Sequence, residues 1–170
     1  MNSMKKIKIE KLTLNVGAGK DNARLDKGVL LLEKLTGRKP SKIVTQKRIA
    51  AWGLRPGLPV GAKLTLRGEE AETFLKRLLY AKDNKLPAKI FDNAGNVAFG
   101  IPEYIEVQDA EYSPELGLMG FEAAITLERP GFRVKKRKLF QRKVGNSHKI
   151  SKEDAIAFFK EKYNVIIEGA

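Results

Sequence analysis

The stretch VGAKLTLR, from Val60 to Arg67, decides the fold because apolar and polar side chains alternate along its whole length. A period of two places successive side chains on opposite faces of an extended strand. The same pattern occurs earlier in the chain, where Leu12, Leu14 and Val16 alternate with Lys11, Thr13 and Asn15. The two segments predict strands of one sheet, with an apolar face on a core and a polar, cationic face turned away from it.

Helix signals separate and follow these strands. Asp21 is a candidate N-cap and Gly37 a candidate C-terminal stop for a first helix. A second helix is predicted after Gly68, where three glutamates fall in the positions that favour negative charge. Ser151 and Asp154 form a candidate capping box for a last helix. The side chains expected to point inward from it are Ile156, Phe159 and Tyr163.

Shorter strands are predicted at Lys42–Thr45, Val97–Phe99 and Tyr104–Val107, and a longer alternating strand at Phe121–Leu127. Strands and helices at these spacings predict an α+β fold, a two-layer sandwich in which an antiparallel or mixed sheet has helices packed on one face. With 170 residues, the chain is expected to form a single domain over 1–170. Its core would be 1–128, followed by a basic segment and C-terminal helix over 129–170.

The charge is large and unevenly distributed. The chain has 33 Lys and Arg against 20 Asp and Glu, a formal net charge of +13. Two windows hold no acidic residue, 38–67 with eight basic side chains and 129–150 with nine. Solvated faces are often charged, but they usually mix both signs. Two acid-free windows therefore favour a polyanionic partner, with nucleic acid the first candidate.

Several functional classes find no support in the sequence. The chain has no cysteine and one histidine, His148, so no thiolate metal site is possible and an ordinary loop histidine is expected. Gly17-Ala18-Gly19 lies between a strand and a helix, but Asn22 occupies the third position of a dinucleotide fingerprint. No other catalytic motif occurs. The N-terminus has no apolar signal region and no apolar run approaches membrane-spanning length. We therefore expect a cytoplasmic protein that is no enzyme, with no cofactor, metal or membrane partner.

Two features in and beside the first basic window suggest RNA. The polar strand faces would present Lys11, Thr13 and Asn15 beside Lys63, Thr65 and Arg67, groups that suit phosphates, 2′-hydroxyls and base edges. A water-facing antiparallel sheet has the same alternation. The long basic loop over residues 46–59 contains the only tryptophan, Trp52, which would stack on a base or anchor the loop to the domain.

The second basic window is dense enough to bind RNA through phosphates alone. It follows the turn Pro130-Gly131. The predicted additional RNA contacts are Arg133, Lys135, Lys136, Arg137, Lys138, Arg142 and Lys143.

Five stretches of the chain resemble the large-subunit ribosomal protein five family, which binds 5S rRNA in the central protuberance. They are LTLNVGAG (Leu12–Gly19), LTGRKPSK (Leu35–Lys42), GLRPGLPVGAKLTLRG (Gly53–Gly68), FDNAGNVAFGI (Phe91–Ile101) and GLMGFEAAITLERPGFRVKKRK (Gly117–Lys138). The resemblance covers nearly the whole chain in order. The start at the first strand and the basic segment with its terminal helix after Leu127 are similar to the archaeal and eukaryotic forms of the family, and the short chain favours the archaeal form.

The resemblance implies a structural protein that binds 5S rRNA and helps attach it to 23S rRNA. The implied 5S rRNA contacts are Lys11, Thr13, Asn15, Lys39, Thr45, Lys63, Thr65 and Arg67. The implied contacts of the long loop with 23S rRNA and the P-site tRNA are Lys47, Arg48, Trp52 and Arg55. Further implied partners are a neighbouring 5S-binding protein of the large subunit and, through an intersubunit bridge, a protein of the small-subunit head. The family implies no catalytic residue.

Overall fold

The computed structural model describes residues 2–169, and over these residues the period-two segments are strands and the capped segments are helices. In chain order the elements are β1 (Lys8–Gly17), α1 (Asn22–Thr36), β2 (Ser41–Val44), β3 (Pro59–Leu66), α2 (Glu69–Tyr80), β4 (Lys85–Pro87), β5 (Val97–Ile101), β6 (Phe121–Glu128), α3 (Lys152–Tyr163) and β7 (Ile166–Glu168).

A five-stranded sheet has the order β2-β3-β1-β6-β5. In it β2 runs antiparallel to β3, with Ser41 opposite Lys63 and Ile43 opposite Gly61. A second sheet pairs β4 with β7 in parallel. The prediction of an α+β fold with an antiparallel or mixed sheet and packed helices is confirmed.

The strand predicted at Tyr104–Val107 is wrong. A 3-10 turn occupies Tyr104–Glu106 instead, and Tyr104 is buried. Its backbone N–H donates to Met119 O at 3.0 Å, and its hydroxyl accepts from the N–H of Ser113 at 2.8 Å. The apolar residues of this segment are therefore explained by the burial of Tyr104, which fixes a loop. They do not mark a strand.

The chain divides into two compact units. Unit 1 comprises Met1–Leu12, Arg67–Ala98 and Ile125–Ala170, and unit 2 comprises Thr13–Leu66 and Phe99–Ala124. All of residues 129–169 thus share unit 1 with α2 and the first residues of β1. The single domain with a boundary after residue 128 stays a prediction.

In unit 2, α1 packs on the strands through close backbone approach. The helix begins as predicted at Asp21, whose Oδ1 accepts from the N–H of Ala23 at 2.9 Å, and it ends at Gly37 with φ of 68°. A Cβ placed on Gly28 of α1 would lie 2.7 Å from Val16 Cγ1. A Cβ on Gly61 of β3 would lie 2.6 Å from Val16 O, so larger residues at both positions would force the elements apart.

In unit 1, α3 is fixed by its cap and by an aromatic cluster. The predicted capping box of Ser151 and Asp154 is present. Phe159 is fully buried and meets the Phe91 ring edge to face, with centroids 5.7 Å apart. The expectation that Ile156 points inward needs correction, because Ala155 is buried and Ile156 only half-buried. Ala155, with the smaller side chain, therefore occupies the inward position of α3 that the prediction gave to Ile156.

Tyr163, at the end of α3, belongs to the same apolar cluster. Burial, with a smaller contribution from the charge of Glu72, raises the pKa of its hydroxyl. The hydroxyl oxygen is buried and has no hydrogen-bond partner among the described residues. The group therefore stays protonated and packs as part of the core.

No helix within residues 2–169 has both the length and the apolar character of a membrane span.

Arg129 connects the end of β6 to the start of α3. Its guanidinium is buried and donates from Nη1 to Lys149 O at 3.0 Å and from Nη2 to Asp154 Oδ2 at 2.9 Å. The same Asp154 oxygen accepts from the N–H of Ser151 at 3.1 Å. One carboxylate thus completes the helix cap and neutralises a buried cation, which fixes both ends of the basic segment.

We predict that Arg129→Ala lowers the free energy of unfolding by about 2–4 kcal/mol, because it removes one member of a largely desolvated pair and leaves Lys149 O and Asp154 without that donor. Urea denaturation measures the change. The matched control is Lys162→Ala, which breaks the more exposed Lys162–Glu72 pair at 2.7 Å and is expected to cost under about 1 kcal/mol. Equal losses for the two variants would contradict a stabilising role for Arg129.

Candidate nucleic-acid interface

The polar face of the sheet in unit 2 lies on the side opposite α1. Val16 points towards α1, so Thr13 and Asn15, with the opposite parity on β1, point away from it. On β3 the parity is equally clear, since Lys63 and Thr65 are exposed while the apolar side chains around them are buried. The structure therefore brings these four predicted contacts, on neighbouring strands, onto one face.

That face is less purely cationic than the sequence suggested. Asn15 donates from Nδ2 to Glu122 Oε2 at 3.3 Å, and Glu122 is an exposed residue of β6. The amide of Asn15 is therefore held in place by a carboxylate. Lys63 has no carboxylate within ion-pair distance among residues 2–169, so its ammonium is not paired within the chain.

Two of the predicted contacts that fall in unit 1, Arg67 and Lys136, lie beside a largely buried carboxylate. The Glu10 side chain is only 10% exposed and lies 3.9 Å from Arg67 Nη1. Lys136 Nζ pairs with Glu10 and, at 3.3 Å, with Glu128, which also pairs with Lys8 at 3.3 Å. Lys11 is half-buried on the same strand.

The electrostatics of Lys136 follow from these partners. Partial desolvation opposes its charge, but the hydrogen bonds and negative charges of Glu10 and Glu128 outweigh it, so the pKa of the ammonium is raised. Lys136 therefore stays charged, and its ammonium is paired with two carboxylates of the same unit. Its geometry suits attachment of the basic segment to β1 and β6 residues more than free phosphate binding.

The long loop between β2 and β3 has a structure of its own. At its base, the N–H of Thr45 donates to Leu58 O at 2.9 Å and the N–H of Gly57 donates to Thr45 O at 2.9 Å. At its tip, Ile49 and Leu54 exchange two backbone hydrogen bonds of 3.0 Å around a 3-10 turn at Ala50–Trp52. The end of the loop is therefore an ordered hairpin.

Trp52 is 68% exposed, so the alternative in which it anchors the loop is wrong. Leu54 is the buried side chain of the tip and serves as the anchor. Lys47, Arg48 and Arg55 are exposed on the same loop. The loop therefore presents an exposed aromatic ring and three cations. The hydroxyl of Thr45, by contrast, donates to Leu58 O at 3.1 Å. Lys39, just before β2, is exposed.

The second basic window begins in a cleft of unit 1. The cleft has a volume of about 290 Å³, and its charged lining includes Lys8, Glu128, Arg133 and Lys136. The sequence does not predict a role for Lys8, because a lysine at a strand start belongs to no motif. The remaining predicted contacts of the window, Lys135, Arg137, Lys138, Arg142 and Lys143, are exposed. His148 places Nε2 2.8 Å from Pro130 O and its ring against Phe132, which is a structural role.

These surfaces combine exposed cations, hydroxyl and amide groups and an exposed aromatic ring. Residues 2–169 hold no cluster of three side chains suited to a metal ion. The cations, polar groups and exposed ring of these surfaces are together typical of a protein that binds structured RNA.

Comparison with known proteins identifies the family. Residues 2–55 match the model of ribosomal protein L5, and residues 59–160 match the model of the C-terminus of the same ribosomal family. The chain is 50% identical over 165 residues to the large ribosomal subunit protein uL5 of Nanoarchaeum equitans, covering 96% of this chain and 97% of that protein. It is 43% identical over 171 residues to the protein of the same name from Sulfurisphaera tokodaii, covering 99% and 97%.

The chain belongs to the ribosomal protein L5 family. The resemblance and its archaeal character are thereby confirmed, as are the predictions of a non-enzymatic protein of the large ribosomal subunit, located with it in the cytoplasm. The individual RNA contacts stay predictions.

The two roles of the basic segment are separable by mutation. We predict that Lys136→Ala lowers the free energy of unfolding by about 1 kcal/mol, because Glu10 is left largely buried with one distant partner. Lys138→Ala is the control, since Lys138 is exposed and a surface change of this kind costs under about 0.5 kcal/mol. Urea unfolding of both variants checks this, and equal costs would show that the Glu10 cluster does not dock the segment.

Proposed function

We propose that the chain binds 5S rRNA in the central protuberance and helps attach it to 23S rRNA. The observation that carries the proposal is the polar face of β1 and β3. In unit 2 it presents Lys63 without a carboxylate partner beside the hydroxyl and amide groups of Thr13, Asn15 and Thr65. Lysine neutralises phosphates, while short polar groups bond to phosphate oxygens, 2′-hydroxyls and base edges.

The flanking predicted contacts support the same partner. Lys11 lies two residues before Thr13 on β1, and Arg67 follows the end of β3. Arg67 is exposed, and its nearest carboxylate, Glu10, lies 3.9 Å away. That separation leaves the guanidinium edge open to a phosphate. Lys39 adds an exposed cation just before β2, whereas Thr45 acts chiefly by closing the loop.

The loop between β2 and β3 is proposed to contact 23S rRNA and the P-site tRNA. Its hairpin tip carries the exposed Trp52, and Lys47, Arg48 and Arg55 are exposed on the same loop. A ring of this kind stacks on a base or ribose while the cations meet phosphates. Further proposed partners are a neighbouring 5S-binding protein of the large subunit and a protein of the small-subunit head, reached through an intersubunit bridge. Both rest on the family resemblance.

We predict that Lys63→Ala and Arg67→Ala each weaken binding to a 5S rRNA transcript severalfold and reduce the log–log salt slope by roughly 0.7–0.9, the loss of one phosphate contact. Filter binding at several salt concentrations measures both quantities. The matched control is Lys27→Ala, an exposed lysine on α1 and so on the opposite side of the unit 2 sheet. Variants indistinguishable from the control would mean that another face binds the RNA.

We predict that deleting residues 49–55 leaves 5S rRNA affinity nearly unchanged and weakens the binding of P-site tRNA to reconstituted ribosomes. The deletion spares the hydrogen bonds between Thr45 and residues 57–58, so the loop base and β3 are retained. The affinity for 5S rRNA and the affinity of the reconstituted ribosomes for P-site tRNA are measured with the same preparation of the variant protein. A large loss of 5S rRNA binding would contradict the proposed division between the strand face and the loop.

A further inference from the structure

The tip of the second basic window exposes two large apolar side chains. Leu139 is 72% exposed and Phe140 is 84% exposed, the highest value among the large hydrophobic side chains of the described residues. Neither was singled out by the charge pattern, which marked only the cations around them. No other aromatic ring within residues 2–169 packs on Phe140.

The backbone at Phe140 is strained. Its φ is +53°, in the left-handed region that bulky side chains rarely adopt. Asn and Gly occupy this region more readily, so folding alone does not select phenylalanine here. A strained, exposed aromatic residue is a frequent sign of function, because the rest of the fold has to maintain it.

The surrounding loop holds this conformation through hydrogen bonds across its base. Arg137 donates from Nε to Phe140 O at 2.9 Å, and the N–H of Arg142 donates to Val134 O at 3.2 Å. The side-chain amide of Gln141 donates to Lys135 O. The root is the buried Phe132, over which Lys135 Nζ lies 4.6 Å from the ring centroid. The tip is therefore preorganised before any partner arrives.

The charge around the tip selects the chemistry of the partner. Residues 129–150 include nine basic and no acidic side chains. A protein partner would have to be strongly acidic, and a lipid surface would call for a wider apolar face than two side chains. An unpaired RNA base suits the site better, since its ring stacks on phenylalanine while the phosphates on either side meet lysine and arginine.

We propose that Phe140 is an RNA-stacking residue that inserts against an unpaired rRNA base, with Leu139 beside it and Lys138, Arg142 and Lys143 on the flanking phosphates. This inference rests on the proposed function, because it assumes that the chain binds rRNA. It adds a stacking contact that is separate from the strand face and from Trp52.

The test measures the affinity of the full chain for a 5S rRNA transcript and, separately, for protein-free 23S rRNA. Phe140→Asn removes the ring while suiting the left-handed backbone, so we expect an unchanged or higher melting temperature. On at least one probe that the wild type binds, we expect the dissociation constant to rise between about 5-fold and 150-fold. The salt slope should not change, because no phosphate contact is lost.

Two further variants make the result decisive. Phe140→Trp retains a stacking ring and is expected to bind within about threefold of wild type. Leu118→Ala, which truncates a side chain 70% exposed in unit 2, is the control and should bind as wild type. Wild-type affinity of Phe140→Asn on both probes would overturn the inference, as would a loss that Phe140→Trp shares. Failure of the wild-type chain to bind either probe would instead overturn the proposed function.

Discussion

The period-two alternation of β1 and β3 is the constraint on which the rest of the structure depends. Burial of the apolar side chains of these strands, such as Leu14 and Leu64, obliges the intervening polar side chains to face the other way. A shift of one residue would exchange the two faces and expose the core. Gly28 and Gly61 hold this register, because each approaches Val16 more closely than a Cβ would permit. Core packing and the surface proposed to bind RNA thus follow from one pattern.

Carboxylates determine which of the many cations remain available to a partner. Glu10 and Glu128 hold Lys136 and Lys8, so part of the second basic window is committed to attachment within unit 1. Arg129 is committed in the same way to Asp154. Lys63, the cations of the loop tip and the cations around Phe140 have no carboxylate partner among the ion pairs of the described residues. The net charge of +13 therefore includes cations that stabilise the fold through carboxylates as well as cations proposed to contact RNA.

Features of the fold that depend on neighbouring residues could be predicted from the sequence, whereas features that depend on contacts between distant segments could not. The caps at Asp21, Gly37 and Ser151 were correct because each depends on hydrogen bonds within a few residues. The pairing of β4 with β7 was missed, since two three-residue strands far apart in sequence show no periodicity. The exposure of Trp52 depends on Leu54 taking the anchoring position. The left-handed φ of Phe140 has no signature in residue type, because phenylalanine is among the last residues expected there.

Hydroxyl-radical footprinting of 5S rRNA, alone and bound to the wild-type chain, tests the central claim most directly. Because the strand face offers a few fixed polar groups instead of a diffuse positive field, a discrete set of riboses should be protected at salt concentrations that abolish non-specific binding. Reproducible protection of that kind is the result predicted here. Binding without any localised protection, or protection that disappears wholly with modest added salt, would contradict the account.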